Sequence, residues 1–453
     1  MLVQFIRWRR LCRWLLLPAL CVSAGAMAQA PSSTEKSTGE ELLTLRDALS
    51  RSLEQSSQLA EFPYRARAAE ARALQSGLRP NPELSLEVEN LAGSGRFEGT
   101  ESAEVTLALS QVIELGGKRR QRESVAMLTG TRTQRAYERA RVDVLADTAG
   151  RFLQVERAER HLTLARTAEA LAGEVEQVAR ERVAAGHSND ADLGRARIAR
   201  LRAELAVGAA ERALAIHRRN LAASWGSTSI SFGEVQADLF ALPAVPDYAA
   251  LVARLEDSPV MAELLTRERL REAQWQLARA QGRQDLSVGA GIKHFADTGD
   301  HAFTLSASTP LGVRDRNQGE ARARRAEFEQ LASERRALRV TLGNELHRAY
   351  QTLLQRRSEA QVLRTQALPE AERALARARE GYARGRYSYL ELTEVQRERL
   401  ALERDAIDAA AAFFDALYVL ERLTGEPLTE TSAQARRVAE PVSAVDVPQY
   451  ESR

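Results

Sequence analysis

The feature that most constrains this chain is that it is written twice. The segment Glu181-Arg182-Val183-Ala184-Ala185-Gly186 through Asp192-Leu193 aligns with Glu380-Gly381-Tyr382-Ala383-Arg384-Gly385 through Glu391-Leu392, at an offset of about 200 residues. Trp225-Gly226 matches Thr424-Gly425, and Glu114-Leu115-Gly116 matches Pro310-Leu311-Gly312, at nearly the same spacing. One architecture therefore has to serve both copies. The expected boundaries are 29–226 for the first, 227–247 for a linker carrying Pro243 and Pro246, 248–425 for the second and 426–453 for a flexible tail.

Each copy opens with two stretches of period-two alternation, the pattern of strands with one apolar face. In the first copy these are Leu84, Leu86, Val88 and then Val105, Leu107, Leu109; in the second they are Leu286, Val288, Ala290, Ile292 and then Phe303, Leu305, Ala307. Turn-rich loops, Ala92-Gly93-Ser94-Gly95 and Asp297-Thr298-Gly299-Asp300, join each pair, so hairpins are expected at about 83–112 and 285–310. The rest has apolar residues three and four apart, as in Val142, Leu145, Ala149, Phe152 or Leu346, Tyr350, Leu353, which is helical. From about Arg119 to Ala185 and from about Gln318 to Arg384 the pattern predicts unbroken helices of about 67 residues, or roughly 100 Å. Four shorter helices of about 35 residues, close to 50 Å each, are expected near 45–78, 191–225, 248–282 and 390–424. Two of these laid end to end match one long helix, which suggests a helical cylinder with the linker at mid-height.

Composition agrees. Charged residues make up 28% and aromatics 5%, a profile of long helices and coiled coils rather than of an aromatic-centred core. Residues 1–28 read as an export signal: Arg7, Arg9, Arg10 and Arg13 precede a largely apolar run from Leu11 to Val22, and Ala26-Met27-Ala28 supplies a cleavage pattern. Its removal takes the formal charge from +2 to about −2, which argues against a nucleic-acid partner. Cys12 and Cys21 both lie inside this segment, so the mature chain has no cysteine; lipid attachment at Cys21 is the alternative, with the bulky Leu20 against it. No mature run reaches the roughly 18 to 20 apolar residues of a spanning helix, so a membrane would have to be crossed by strands.

Four strands cannot close on themselves, because about eight is the minimum for a membrane barrel and lipid tolerates no open sheet edge. Three chains would supply about twelve strands, with the small polar face of Ser85, Glu87, Glu89, Thr106, Ala108 and Ser110 toward a wet lumen. The competing readings are ordinary water-exposed hairpins and a helical rod without a pore.

Arg79-Pro80-Asn81-Pro82-Glu83-Leu84, the stretch from Leu109 to Arg119 with its Glu114-Leu115-Gly116-Gly117, and Arg316-Asn317-Gln318-Gly319 resemble the outer membrane factor (TolC-like) family, in its cobalt-zinc-cadmium efflux branch. The resemblance covers nearly the whole mature chain. It implies a mainly α fold with a small β part: a homotrimer whose twelve-stranded outer-membrane barrel continues as a periplasmic α-helical coiled-coil tunnel. The implied function is the exit duct of a tripartite efflux system that exports divalent heavy-metal cations. The implied partners are a periplasmic adaptor, an inner-membrane transporter of the resistance-nodulation-division class, and outer-membrane lipid. Other readings are a duct for drugs or for type I secretion, and, further off, the adaptor itself or a secreted helical hydrolase.

Gly186 and Gly385 suit the two periplasmic turns, where the chain needs positive φ. By the resemblance, the entrance constriction carries over onto Asp192, Tyr382, Glu391 and Glu394, with Asp190 beside it. Tyr387 stands where relatives carry a basic gating residue, and Arg386 is adjacent. Glu391, Glu394 and Glu398 share a helix face, so threefold symmetry would make rings of negative charge. The alternative role for these acids is a solvated face or a helix cap.

Chemistry beyond conduction is not expected. The six histidines show no zinc-site spacing, and Met127 and Met261 alone survive processing, too few for a soft-metal relay. His294 and His301 flank one hairpin loop and either meet across it or stay as separate exposed side chains. Gly93-Ser94-Gly95 does not open a helix, and Ser110 and Ser188 lack a nucleophile elbow. No catalytic site, resident metal or cofactor is expected.

Overall fold

The computed structural model describes residues 42–428 and 433. The expected signal segment, with Cys12 and Cys21, and all but the start of the tail lie outside the described residues. The chain enters through β1 (Leu43–Thr44) into α1 (Leu45–Gln55), α2 (Ser57–Ala60) and α3 (Phe62–Gly77), then forms β2 (Glu83–Glu89) and β3 (Glu104–Ile113). The long α4 (Lys118–Ala184) and its return α5 (Asp190–Ala222) follow, and then β4 (Val235–Gln236) in the linker. The second half repeats the order with α6 (Tyr248–Glu256), α7 (Pro259–Gln281), β5 (Leu286–Phe295), β6 (His301–Ser308), α8 (Gln318–Val362), α9 (Leu368–Ala383) and α10 (Tyr389–Thr424).

α4 is the expected unbroken helix of 67 residues. Its counterpart departs from expectation, because residues Leu363–Ala367 between α8 and α9 form a π-turn. Pro369 explains it: proline has no N–H to donate and its ring crowds the carbonyl four residues back, that of Thr365, so the helix widens there instead of breaking. Two of the short helices are also interrupted. The 45–78 segment splits at Ser56 and Glu61, and the 248–282 segment restarts at Ser258, whose hydroxyl accepts from the Met261 N–H ahead of Pro259 in the first turn. The linker is not wholly irregular: β4 pairs in parallel with β1, Leu43 opposite Val235 and Thr44 opposite Gln236.

The helices pack along seams rather than around one centre. Phe152, Val155 and Leu162 of α4 meet Leu214 and Leu221 of α5, together with Trp225 and Leu43. Ala149, Leu153 and Leu164 on α4 join Ile407, Ala410 and Ala411 of α10, with Leu239 of the linker against them. Leu346 and Leu353 of α8 interlock with Phe413, Leu417 and Leu420 of α10. Each leucine, isoleucine, valine or phenylalanine among them, fully buried, contributes about 1.5–3 kcal/mol.

At one end the four long strands form a single antiparallel sheet in the order β2-β3-β5-β6. Its edges, β2 and β6, have no partner strand among the described residues. The apolar side chains predicted to share a face do so, in rows such as Leu86–Leu107–Ile292–Phe303 and Leu84–Leu109–Ala290–Leu305. That face is bare: Phe303 and Leu305 are 89% and 88% exposed.

The opposite face is polar, mostly small in the rows through Gly289 and Gly291 and charged nearer the loops at Glu87, Glu89, Glu104 and Lys293, and the sheet curls toward it. A Cβ built on Gly291 would lie 2.8 Å from the Ala108 Cβ and 2.7 Å from the Leu107 carbonyl; one on Gly289 would lie 2.6 Å from the Ser306 hydroxyl. Facing Cβ atoms in a gently twisted sheet sit about 4.5–5.5 Å apart, so the polar faces of β3, β5 and β6 converge. Below the sheet, Lys118 pairs with Asp285 at 2.8 Å, the Leu115 N–H donates to Asp285 Oδ1 at 3.0 Å, and Arg122 Nη2 donates to Glu114 Oε2 at 2.9 Å. These bonds tie the ends of β3 and α4 to the start of β5. Hydrogen bonding from Arg122 holds the Glu114 carboxyl below its usual range against the cost of burial.

Candidate functional site: the paired helical turns

At the end away from the sheet, two helical hairpins turn side by side. In the first, Gly186 takes φ +73°, and the N–H groups of Ala185, Gly186 and His187 reach back to the carbonyls of Glu181, Val183 and Arg182. In the second, Gly385 takes φ +73°, and Arg384, Gly385 and Arg386 reach back to Glu380, Tyr382 and Gly381. Both are helix ends closed by a left-handed residue, which glycine adopts without Cβ strain. Both glycines therefore take the positive φ that the turns require.

The caps that start the return helices differ. α5 begins on Asn189, whose side chain accepts from the Asp192 N–H at 2.9 Å; the Asp192 carboxylate in turn accepts from the Ser188 hydroxyl at 3.2 Å and from Arg195 at 3.4 Å. α10 begins with a full capping box: the Glu391 N–H donates to the Ser388 hydroxyl, and Glu391 Oε2 accepts from the Ser388 N–H at 2.7 Å and its hydroxyl at 2.8 Å. Those two bonds, from the backbone first, hold the Glu391 carboxyl below its usual range. Glu391 thus has the capping role that stood as its alternative. Glu394 lies exposed one turn on, 3.6 Å from Arg397, and Asp190 and Arg386 are exposed as well.

Between the two turns is a small aromatic core. Tyr382 and Tyr389 stand edge to face, 6.5 Å apart, packed with Val175, Ala179, Ala196, Leu375, Ala378 and Leu392. Arg182 of the first turn crosses to the second. Its guanidinium lies 4.8 Å from the Tyr382 ring centre, Nη1 donates to the Tyr382 carbonyl, and Nη2 donates to the His187 carbonyl at 3.3 Å. Tyr382 is only 3% exposed, and its hydroxyl is shielded without a hydrogen-bond partner among the described residues. Burial pushes that phenol up, with Arg182 opposing and Asp192 and Tyr389 adding to the rise. The Tyr387 ring lies against Gly381, where a Cβ would come within 2.2 Å of it.

Sequence reasoning named Gly186, Asp192, Tyr382, Gly385, Tyr387 and Glu391, which the structure brings to this end together. Tyr389 stands out in the sequence as part of the aromatic neighbourhood of the second turn; Arg182, which completes the junction, was missed. A signal for Arg182 did exist: the aligned copy has Gly381 there, so the two turns differ at the position that crosses between them.

Among the described residues no group of three or more His, Cys, Asp or Glu side chains is arranged to hold a metal, and no helix is long and apolar enough to cross a membrane. Instead there are long helices with paired turns at one end and, at the other, a curled open sheet with a bare apolar face: the build of an outer-membrane channel. The outer membrane efflux protein family profile matches residues 48–227 and 251–426, and the chain belongs to that family. It is 30% identical over 383 residues to the cobalt-zinc-cadmium resistance protein CzcC of Cupriavidus metallidurans, covering 84% of this chain and 90% of that one. It is 27% identical over 261 residues to the nickel-cobalt-cadmium resistance protein NccC of Alcaligenes xylosoxydans xylosoxydans, covering 57% and 59%. The outer membrane protein VceC of Vibrio cholerae shares the fold with a TM-score of 0.70 at 18% identity, over 85% of this chain and 97% of that one. The expected family, its mainly helical fold and its outer-membrane efflux class are thereby established.

Proposed function

We propose that this channel is a homotrimeric exit duct for divalent heavy-metal cations, in which one duplicated chain supplies four strands of a twelve-stranded barrel and a third of a periplasmic helical tunnel. The observation that carries the reading is the sheet. Among the described residues both edges lack partner strands, one face is apolar and bare, and the curl runs toward a polar face whose Gly289 and Gly291 rows are mostly small residues. An isolated sheet of this kind leaves unpaired edges that lipid does not tolerate, and sister chains remove them. The cargo class rests on likeness to two proteins named for resistance to cobalt, zinc, nickel and cadmium. A periplasmic adaptor and a proton-driven inner-membrane transporter complete the assembly.

The paired turns form the periplasmic entrance in this reading. Gly186 and Gly385 shape it, Asp190, Asp192, Glu391 and Glu394 give it negative charge, and Tyr382, Tyr387 and Arg386 border it. Arg182 is the residue that holds the two turns together. Purified protein in detergent tests the duct: the expected result is a heat-sensitive trimer that forms conducting pores in planar bilayers, and a monomer without conductance overturns it. Deleting the gene and plating on cobalt, zinc and cadmium tests the cargo. Unchanged metal tolerance, with loss of tolerance to organic drugs instead, replaces the metal reading.

A further inference from the structure

The turn between β5 and β6 holds two imidazoles that neither the channel nor its entrance uses. His294 and His301 are directly opposite in the register, and their rings lie 4.7 Å apart, inclined by 31°. The alternation of the ladder explains the approach. The Phe295 N–H donates to the Asp300 carbonyl at 3.0 Å, which makes 295 and 300 a hydrogen-bonded pair and leaves 294 and 301 as the adjacent pair without such bonds, where side chains stand closer. The Gly299 N–H closes the turn onto the Phe295 carbonyl at 2.9 Å, so the strands cannot splay just beyond the rings. The two histidines meet across the loop.

The surroundings favour a cation. His294 Nδ1 is shielded from solvent and has no hydrogen-bond partner among the described residues. Lys293 belongs to the other face of the sheet, where its ammonium is held by Glu89 at 2.8 Å and by Glu104, away from the rings. The turn itself carries Asp297 and Asp300. Two imidazoles on paired neighbouring strands form a bidentate nitrogen donor, suited to borderline divalent ions and most strongly to copper(II).

We propose that His294 and His301 chelate one divalent transition-metal ion, of the copper, nickel or zinc class, with water completing its coordination. The pair ends the apolar face, in the row Val88–Val105–His294–His301. In the proposed barrel that row lies at the outer rim, beyond the tunnel; this placement rests on the duct reading, whereas the chelate does not.

The test is copper(II) titration of the purified full chain in detergent, followed by electron paramagnetic resonance, with zinc and nickel binding measured by calorimetry. One ion per chain with coupling to two nitrogens is expected. His294→Gln and His301→Gln should each weaken binding by at least about tenfold, and the double variant should fall little further, because the two rings act as one ligand. The unaltered protein gives the nitrogen count without any variant, so a folding defect does not blunt the test. A spectrum with one nitrogen, or variants that bind as the parent does, overturns the site. Heat-sensitive trimers on a gel are scored in the same samples: a monomer that still shows the two-nitrogen signal counts against the barrel and for the chelate.

Discussion

The two ends of this molecule stand in opposite conditions. At the turns the chain finishes its own packing: Tyr382 and Leu392 are buried, Arg182 bridges one hairpin to the other, and both helix starts are capped from within. At the sheet it does not, for Phe303, Leu305, Leu84 and Leu86 are bare and two strand edges are open. One sequence thus encodes a region packed within a single copy and another that, in the proposed duct, is completed by lipid and sister strands. Damage at the sheet should appear as failed assembly, and damage at the turns as altered opening in an assembly that still forms.

The largest expected effect is at Gly291. Gly291→Val places atoms inside the Leu107 carbonyl and the Ala108 Cβ, and should abolish heat-sensitive trimers while soluble fragments of the helical region keep their circular dichroism. Normal trimers from this variant would show that the sheet need not curl. Leu305→Lys puts a charge on the face assigned to lipid, at about 2–4 kcal/mol per chain if the residue sits near the bilayer midplane, and should cut outer-membrane yield sharply. Unchanged yield would place that face in water.

At the other end the effects are smaller. Arg182→Ala removes the donor to the Tyr382 and His187 carbonyls, a loss of about 1.5–3 kcal/mol, and should speed hydrogen exchange around 381–389 and raise pore conductance without disturbing the trimer. Faster exchange with unchanged conductance would separate the junction from gating. Ser388→Ala should cost about 1 kcal/mol through loss of the cap, read as fraying at the start of α10. Acid sharpens the contrast from a third direction. The Glu114 and Asp285 carboxyls below the sheet are both held under their usual values, so their contribution is complete above the unfolded carboxylate range near pH 4 and fades as pH falls through the folded values. Protease sensitivity at the 114–122 junction should rise on acidification, and the Glu114→Gln variant should show less of that rise.

Much of this was legible from residues alone because the signals are local and periodic. Alternation marked β2, β3, β5 and β6 to within a few residues, and the turn glycines marked both reversals, since period and φ preference need no partner. Two local signals were available and outweighed by longer patterns. Pro369 lies inside a helical run and produces the π-turn, and Ser388-x-x-Glu391 is a capping-box spacing that favours the cap among the two roles open to Glu391. The difference between Arg182 and its aligned Gly381 was visible, but its meaning was not, because its partner lies 200 residues away, at a contact that only the packed hairpins create. The curl of the sheet was hidden as well, because Gly289 and Gly291 look like weak strand residues until the neighbours that crowd them are known.

Those same two glycines bear on how solutes would travel. Where Gly289 and Gly291 face the interior of the proposed barrel, the wall offers peptide dipoles and short hydroxyls in their two rows, between Glu83 on one side and the Lys293–Glu89–Glu104 cluster nearer the loops. Throughput in any pore falls when its lining holds a solute too firmly. A smooth, narrow-walled stretch near the exit therefore favours rapid discharge over discrimination, leaving selection to whatever loads the other end.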